Sequence, residues 1–171
     1  MIPVSLRDRL YALFVECLAE TDSARAFDAK SRRLRLSSAG ERDYMRDRLP
    51  RYVSALAGAS AAPPSAPFAR DLEVGELLFN HGLFFDAHEY LEGTWRREKE
   101  PRKSRVQGFI QIAAAFHKLE LDPKGTEGAL YLLSRGVAKA ADDGLAETLR
   151  PALKDLTNGR PPASIPAVKF A

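Results

Sequence analysis

The sequence predicts an all-α protein, an antiparallel helical bundle with an additional N-terminal helical section. Three observations lead there. Alanine, leucine and arginine are abundant while β-branched residues are sparse, which favours helix. Apolar residues recur at three- and four-residue spacing through the longer segments, and no alternating strand pattern emerges. Proline and glycine cluster in a few places, so they read as punctuation between helices. At 171 residues the chain is long enough to enclose one sizeable core.

Leu6, Leu10, Leu13, Phe14 and Cys17 make an apolar stripe at helical spacing, predicting a helix within the first 20 residues. Thr21-Asp22-Ser23 can stop that helix or cap another. Residues 24–36 are basic and have few apolar anchors. Ser38 and Glu41 have the spacing of a capping box. The helix they open offers Tyr44, Met45, Leu49, Tyr52, Val53 and Leu56 to a core. Pro50 is expected to kink or restart it, because proline removes a backbone donor and crowds the preceding turn. Gly58 to Pro67, G-A-S-A-A-P-P-S-A-P, is the clearest linker.

Asp71 to Asn80 reads as a short helix closed by His81-Gly82, where Gly82 can take a left-handed conformation. Phe84 to about Arg97 is the next helix, and the break between the two suggests an antiparallel hairpin. Glu100-Pro101 opens a third helix running to about Leu121. Asp122-Pro123-Lys124-Gly125 is a turn, and residues 126–141 form a fourth helix with Ala129, Leu132, Leu133, Val137 and Ala140 inward. Asp143 can cap a last helix carrying Leu145, Leu149, Leu153 and Leu156, which Asn158-Gly159 ends. The expected organisation is a basic helical section at 1–57, a linker at 58–68, a bundle domain at 69–158 and an extended, proline-containing surface tail at 159–171.

Formal charge is +3, which permits contact with an anionic partner without pointing to one. The cations gather in the first third, including Lys30 to Arg35, and again from Arg96 to Arg105. Such runs are usually solvated faces, and a nucleic-acid surface would need them to act together. Cys17 is the single cysteine, so no intrachain disulfide can form and the cytoplasm is the natural compartment. No apolar run reaches the ~18 residues of a membrane-spanning helix, and Met1 to Leu10 has no signal-peptide core.

The reactive side chains concentrate between Asn80 and His117. On a helix, His88, Glu92 and Trp95 fall within a sector of about 60°, bordered by Phe84 and Leu91 and flanked by Glu89 and Arg96. That placement puts His88 and Glu92 on the most apolar side of the helix. Arg96 can pair with Glu92 or Glu100, each four residues away. Gln107, Ile110, Gln111, Ala114 and Leu121 share a face of the next helix, with His117 at its edge. Phe109, Ile112, Ala113 and Phe116 cover the other side, which marks a helix buried in the middle of its domain. Buried polar groups need partners. One reading is a satisfied network, His88 with Glu92 and Gln107 with Gln111. Another is a ligand pocket between the helices. A third is a metal or hydrolytic site, since His88-Glu89-x-x-Glu92 superficially echoes the zinc-protease H-E-x-x-H pattern but lacks its second histidine. No G-x-S-x-G elbow, phosphate-cradling loop or dinucleotide fingerprint is present.

Around these residues the chain resembles the domain-of-unknown-function 309 family of small bacterial and archaeal helical proteins. The resemblance is carried by Phe79-Asn80, Gly82, Phe84-Phe85, Ala87-His88-Glu89, Leu91-Glu92 and Trp95. It resumes at Gln107-Gly108, Ile110-Gln111, Ala113, Ala115, His117, Gly128-Ala129 and Leu132-Leu133. It spans roughly Asp71 to Ala141, under half of the chain. It implies an all-α bundle and brings no established reaction, substrate or cofactor.

Three functional expectations follow. The first is a non-catalytic helical protein binding a small ligand or a protein partner, with His88, Glu92, Trp95, Arg96, Gln107, Gln111 and His117 as its polar network. The second is an enzyme in which Glu89 or Glu92 acts as general base and His88 as proton shuttle, or as metal ligand together with Glu92. The third, less favoured, is weak nucleic-acid binding through the basic clusters. A homodimer is open under each, and no cofactor is specified.

Overall fold

The structure is a computed structural model that describes residues 4–59 and 67–170. Among these residues the chain is all-helical, with eight helices and no strand: α1 (Val4–Cys17), α2 (Ser23–Ser31), α3 (Ala39–Gly58), α4 (Pro67–Asn80), α5 (Phe84–Arg97), α6 (Arg102–Leu121), α7 (Thr126–Ala140) and α8 (Asp143–Thr157). They form two compact units, one of α1–α3 with the His81–Leu83 turn, the other of α4–α8 with the chain that follows. None of these helices is long and apolar enough to cross a membrane.

In the first unit, Leu6, Leu10, Phe14 and Cys17 of α1 are buried, as their spacing requires. Residues 24–36 hold more order than expected. Asp22 accepts a hydrogen bond from Arg25 N at 3.3 Å and so caps α2. Phe27 is fully buried there, its ring 5.2 Å from Tyr52, which also meets Phe14 at 5.7 Å. One aromatic is anchor enough for nine residues whose exposed side is tied by Lys30 to Glu16 and Glu20. Ser38 caps α3 by accepting from Glu41 N at 3.1 Å. The reciprocal arm of the capping box is shared with the preceding residue: Glu41 accepts from the Ser37 backbone N–H and hydroxyl, with the Ser38 backbone N–H a weaker partner. These bonds hold the Glu41 carboxyl below the usual carboxylate range, the Ser37 hydroxyl being the largest cause. Met45, Tyr52 and Leu56 are buried, whereas Tyr44, Leu49 and Val53 are only half-buried. The helix runs on through Pro50, which is exposed. Of the expected linker, residues 60–66 lie outside the described residues.

In the second unit each helix packs on the one before it, so α6 lies between α5 and α7. The His81–Leu83 turn between α4 and α5, which clusters with the first unit, is made possible by Gly82 at φ 71°. α6 is buried around most of its circumference by Val106, Phe109, Ile110, Ile112, Ala113, Ala115 and Phe116, as expected of a central helix. α6 and α7 approach through Gly108 and Gly136. A β-carbon on Gly108 would lie 2.4 Å from Ala140 N and 2.6 Å from Gly136 O. The cap of α8 is Asp142, accepting from Leu145 N at 2.9 Å, one residue before the expected Asp143, which sits inside the first turn. The tail is extended, as expected, but it is not confined to the surface: Val168 and Phe170 are buried.

Candidate functional site

α5 presents two distinct faces. Phe84, Ala87, Leu91 and Thr94 form its buried stripe, and Leu91 packs where Gly75 of α4 leaves room. His88, Glu92 and Trp95 are only half-buried, about a quarter turn from that stripe. The expectation that His88 and Glu92 point to the most apolar side of α5 is therefore corrected. The large but amphipathic Trp95 belongs to the rim, with Lys103 Nζ 4.3 Å over its ring. The carboxylate buried on α5 is Asp86, 2% exposed in the first helical turn, where it favours the helix dipole.

His88 is bracketed along its own helix. Its Nδ1 lies 3.3 Å from Glu89 Oε1, and its Nε2 lies 3.6 Å from Glu92 Oε1. Arg96, the expected partner, reaches the other oxygen of Glu92 at 2.9 Å. These four residues thus form a local polar chain along a half-exposed face. Glu89 and Glu92 are each within reach of the imidazole they would have to work with. Among the described residues no group of three or more His, Cys, Asp or Glu side chains is arranged to hold a metal ion.

The α6 residues divide. Gln107 turns to α7, where its Oε1 accepts from Lys139 Nζ, and not to Gln111. Gln111 Oε1 is buried without a hydrogen-bond partner, so the pairing of these two amides is corrected. Thr94 Oγ1 on α5 is likewise buried and unpartnered, and nothing in the sequence singled it out. His117 packs its ring 5.4 Å from that of Phe85 and places Nδ1 3.4 Å from Glu120 Oε2.

His88 and His117, from two helices, line one cleft of about 300 Å³. Its walls are Phe85 and His88 of α5, Ala114, His117, Lys118 and Leu121 of α6, and Asp122. Ala114 keeps the space open because a larger side chain there would enter it. Leu121 stands 59% exposed at the rim. Gln107, Gln111, Glu92, Trp95 and Arg96 are not part of this lining. The chemistry the cleft offers is an aromatic and aliphatic wall, two imidazoles, one ammonium and one carboxylate.

The basic clusters are largely paired within their own units. Lys30 bonds Glu16 at 2.6 Å and Glu20 at 3.0 Å, bonds that raise its pKa, and Arg32 bonds Asp28 at 3.0 Å. Arg97 reaches Asp71 at 2.7 Å, Arg102 reaches Glu98 at 4.0 Å and Arg105 reaches Asp142 at 3.4 Å. Asp71 also accepts from the Tyr90 hydroxyl at 3.2 Å; burial first, then this neighbouring carboxylate, push the phenol's pKa up.

Comparison with curated proteins and with solved structures found no match. Residues 72–132, which contain all of α5 and α6, match the family model described as Domain of unknown function (DUF309).

Proposed function

We propose that the whole chain is a member of this family and acts as a non-catalytic helical binding protein, holding a small molecule in the α5–α6 cleft. The observation that carries the reading is the convergence of His88 and His117 on one open space of about 300 Å³. That size is at the lower end of ordinary ligand pockets, so the ligand is compact. Phe85, Ala114 and Leu121 favour an apolar or aromatic body. Lys118 and His117 favour one anionic group, a carboxylate or a phosphate monoester, which would accept hydrogen bonds from them, while His88, its nitrogens facing Glu89 and Glu92, lends its ring to the wall. Glu89 and Glu92 then serve to orient His88, and Arg96 to hold Glu92, with no substrate proton to move. Cys17 as a lone buried thiol suits a reducing compartment, so the cytoplasm is the proposed location.

The test is isothermal calorimetry with a panel of small aromatic and aliphatic carboxylates and phosphate monoesters. The wild-type chain is compared with Ala114→Phe, which fills the cleft. Binding by the wild type that falls at least about tenfold in the variant is expected. Equal binding by both would place the ligand elsewhere. Turnover of a bound compound that disappears in His88→Ala would replace binding with catalysis.

A further inference from the structure

The chain after α8 occupies a separate place on the second unit. Asn80 grips the main chain of Val168 from both sides: its Oδ1 accepts from Val168 N at 2.9 Å and its Nδ2 donates to Val168 O at 3.0 Å. A primary amide used this way imitates a neighbouring strand, recognising backbone without regard to side chain. Phe170 N donates to Glu76 Oε2 at 2.9 Å, and Phe170 O accepts from Arg105 Nη2 at 3.4 Å. The side chains alternate as on a strand. Val168 and Phe170 are buried, while Ala167 and Lys169 are exposed. The Phe170 ring stacks on Phe109 with centroids 4.4 Å apart and planes at 14°, and meets Phe79 edge-on at 5.9 Å.

We propose that this face of α4 and α6 is a docking groove for extended peptides of Val-x-Phe type. Residues 168–170 are its resident occupant, exchangeable for a segment of the same chemistry on a partner protein. The occupant shows what the groove recognises: backbone through Asn80, Glu76 and Arg105, and two alternate apolar side chains. The tether makes exchange feasible. Between Thr157 and Val168 no residue is buried, so releasing the segment uncovers Val168, Phe170 and the faces of Phe79 and Phe109 that Phe170 covers, surface that a Val-x-Phe segment of a partner would cover again. A tethered occupant acts at millimolar effective concentration, so it excludes weak or mismatched peptides and yields to well-matched ones.

The test uses the full chain and a fluorescent hexapeptide of the sequence Ile165 to Phe170. In Phe170→Ala the resident segment loses its anchor and the groove opens. Anisotropy should then show the peptide binding at least about tenfold more tightly to this variant than to the wild type. Adding Asn80→Ala should remove that gain, and a peptide ending in alanine should not bind. Failure of folded Phe170→Ala to bind, equal affinity for variant and wild type, or equal binding of the alanine peptide would each overturn the proposal. A second measurement serves should the variant not fold. In the ¹⁵N-labelled wild type, excess peptide should speed hydrogen exchange at the Val168 and Phe170 amides, and unchanged exchange would overturn the proposal.

Discussion

Gly108→Ala adds one methyl group where α6 meets α7. On an open helix that change stabilises, by about 0.5–1 kcal/mol, because glycine loses more backbone freedom on folding. At Gly108 the new carbon would sit 2.4 Å from Ala140 N, 2.6 Å from Gly136 O and 2.9 Å from Ala140 Cα. All three are backbone atoms of another helix, so no side-chain rotation relieves the clash. An ordinary contact starts near 3.4 Å, so the helices would have to part by about 1 Å. A gap of that size forfeits a quarter to a half of the dispersion energy along the seam. Overpacking costs about 1–3 kcal/mol, and a backbone clash belongs at the upper end, so the net loss is about 2 kcal/mol. Gly93→Ala is the control, because the added carbon meets only Arg97 Nη1 at 3.6 Å, an ordinary contact. Urea unfolding followed by the fluorescence of Trp95, the single tryptophan, reports on this unit directly. Gly108→Ala should unfold earlier and Gly93→Ala later than the wild type. A Gly108→Ala chain as stable as Gly93→Ala would refute the close approach of α6 and α7.

Three further outcomes are expected. Tyr90→Phe should destabilise by about 1 kcal/mol in the same assay with an unchanged m-value, since it deletes one hydrogen bond to Asp71 and keeps the ring. Glu41 stabilises the fold above the ordinary carboxylate range and stops doing so as pH falls through its lowered folded value. The stability difference between wild type and Glu41→Gln should therefore shrink between about pH 6 and about pH 3, as measured by urea unfolding at each pH. Burial raises the Cys17 thiol above its ordinary value. A thiol-specific disulfide reagent should accordingly react at least about a hundredfold more slowly with the native chain than with the urea-unfolded one.

Periodicity made most of the helices legible, because α1, α3 and α5–α8 each carry enough apolar residues to define a face. α2 was not legible: Phe27 alone anchors it, and one residue has no period. The sequence does not single out the cap of α8, since Asp142 and Asp143 have the same capping chemistry and only the extended backbone at Asp142 distinguishes them. The buried face of α5 is hard to read from the sequence because Trp95 counts as apolar by area while its position is the rim. Seen from the sequence, Phe84, Ala87, Leu91 and Thr94 were an equally regular stripe at spacings of three and four. Partners far apart in sequence stayed hidden. Gln107 finds Lys139 on another helix, and Asn80 finds Val168 across 88 positions, so neither pair leaves a local pattern. A proline-rich tail reads as surface because proline cannot join a ladder, yet Val168 and Phe170 need only side chains and two amides to be held. His88 and His117 were both singled out by residue type. Their shared cleft depends on the register of α5 against α6, which a single sequence does not carry.

The most direct test of the proposed function is an NMR titration of the three histidine imidazoles, His81, His88 and His117, with the tightest-binding compound of the carboxylate and phosphate panel. The His88 and His117 ring resonances should move together and saturate at the calorimetric affinity, while those of His81 stay still. Saturable binding that leaves His88 and His117 unmoved would contradict the proposed function.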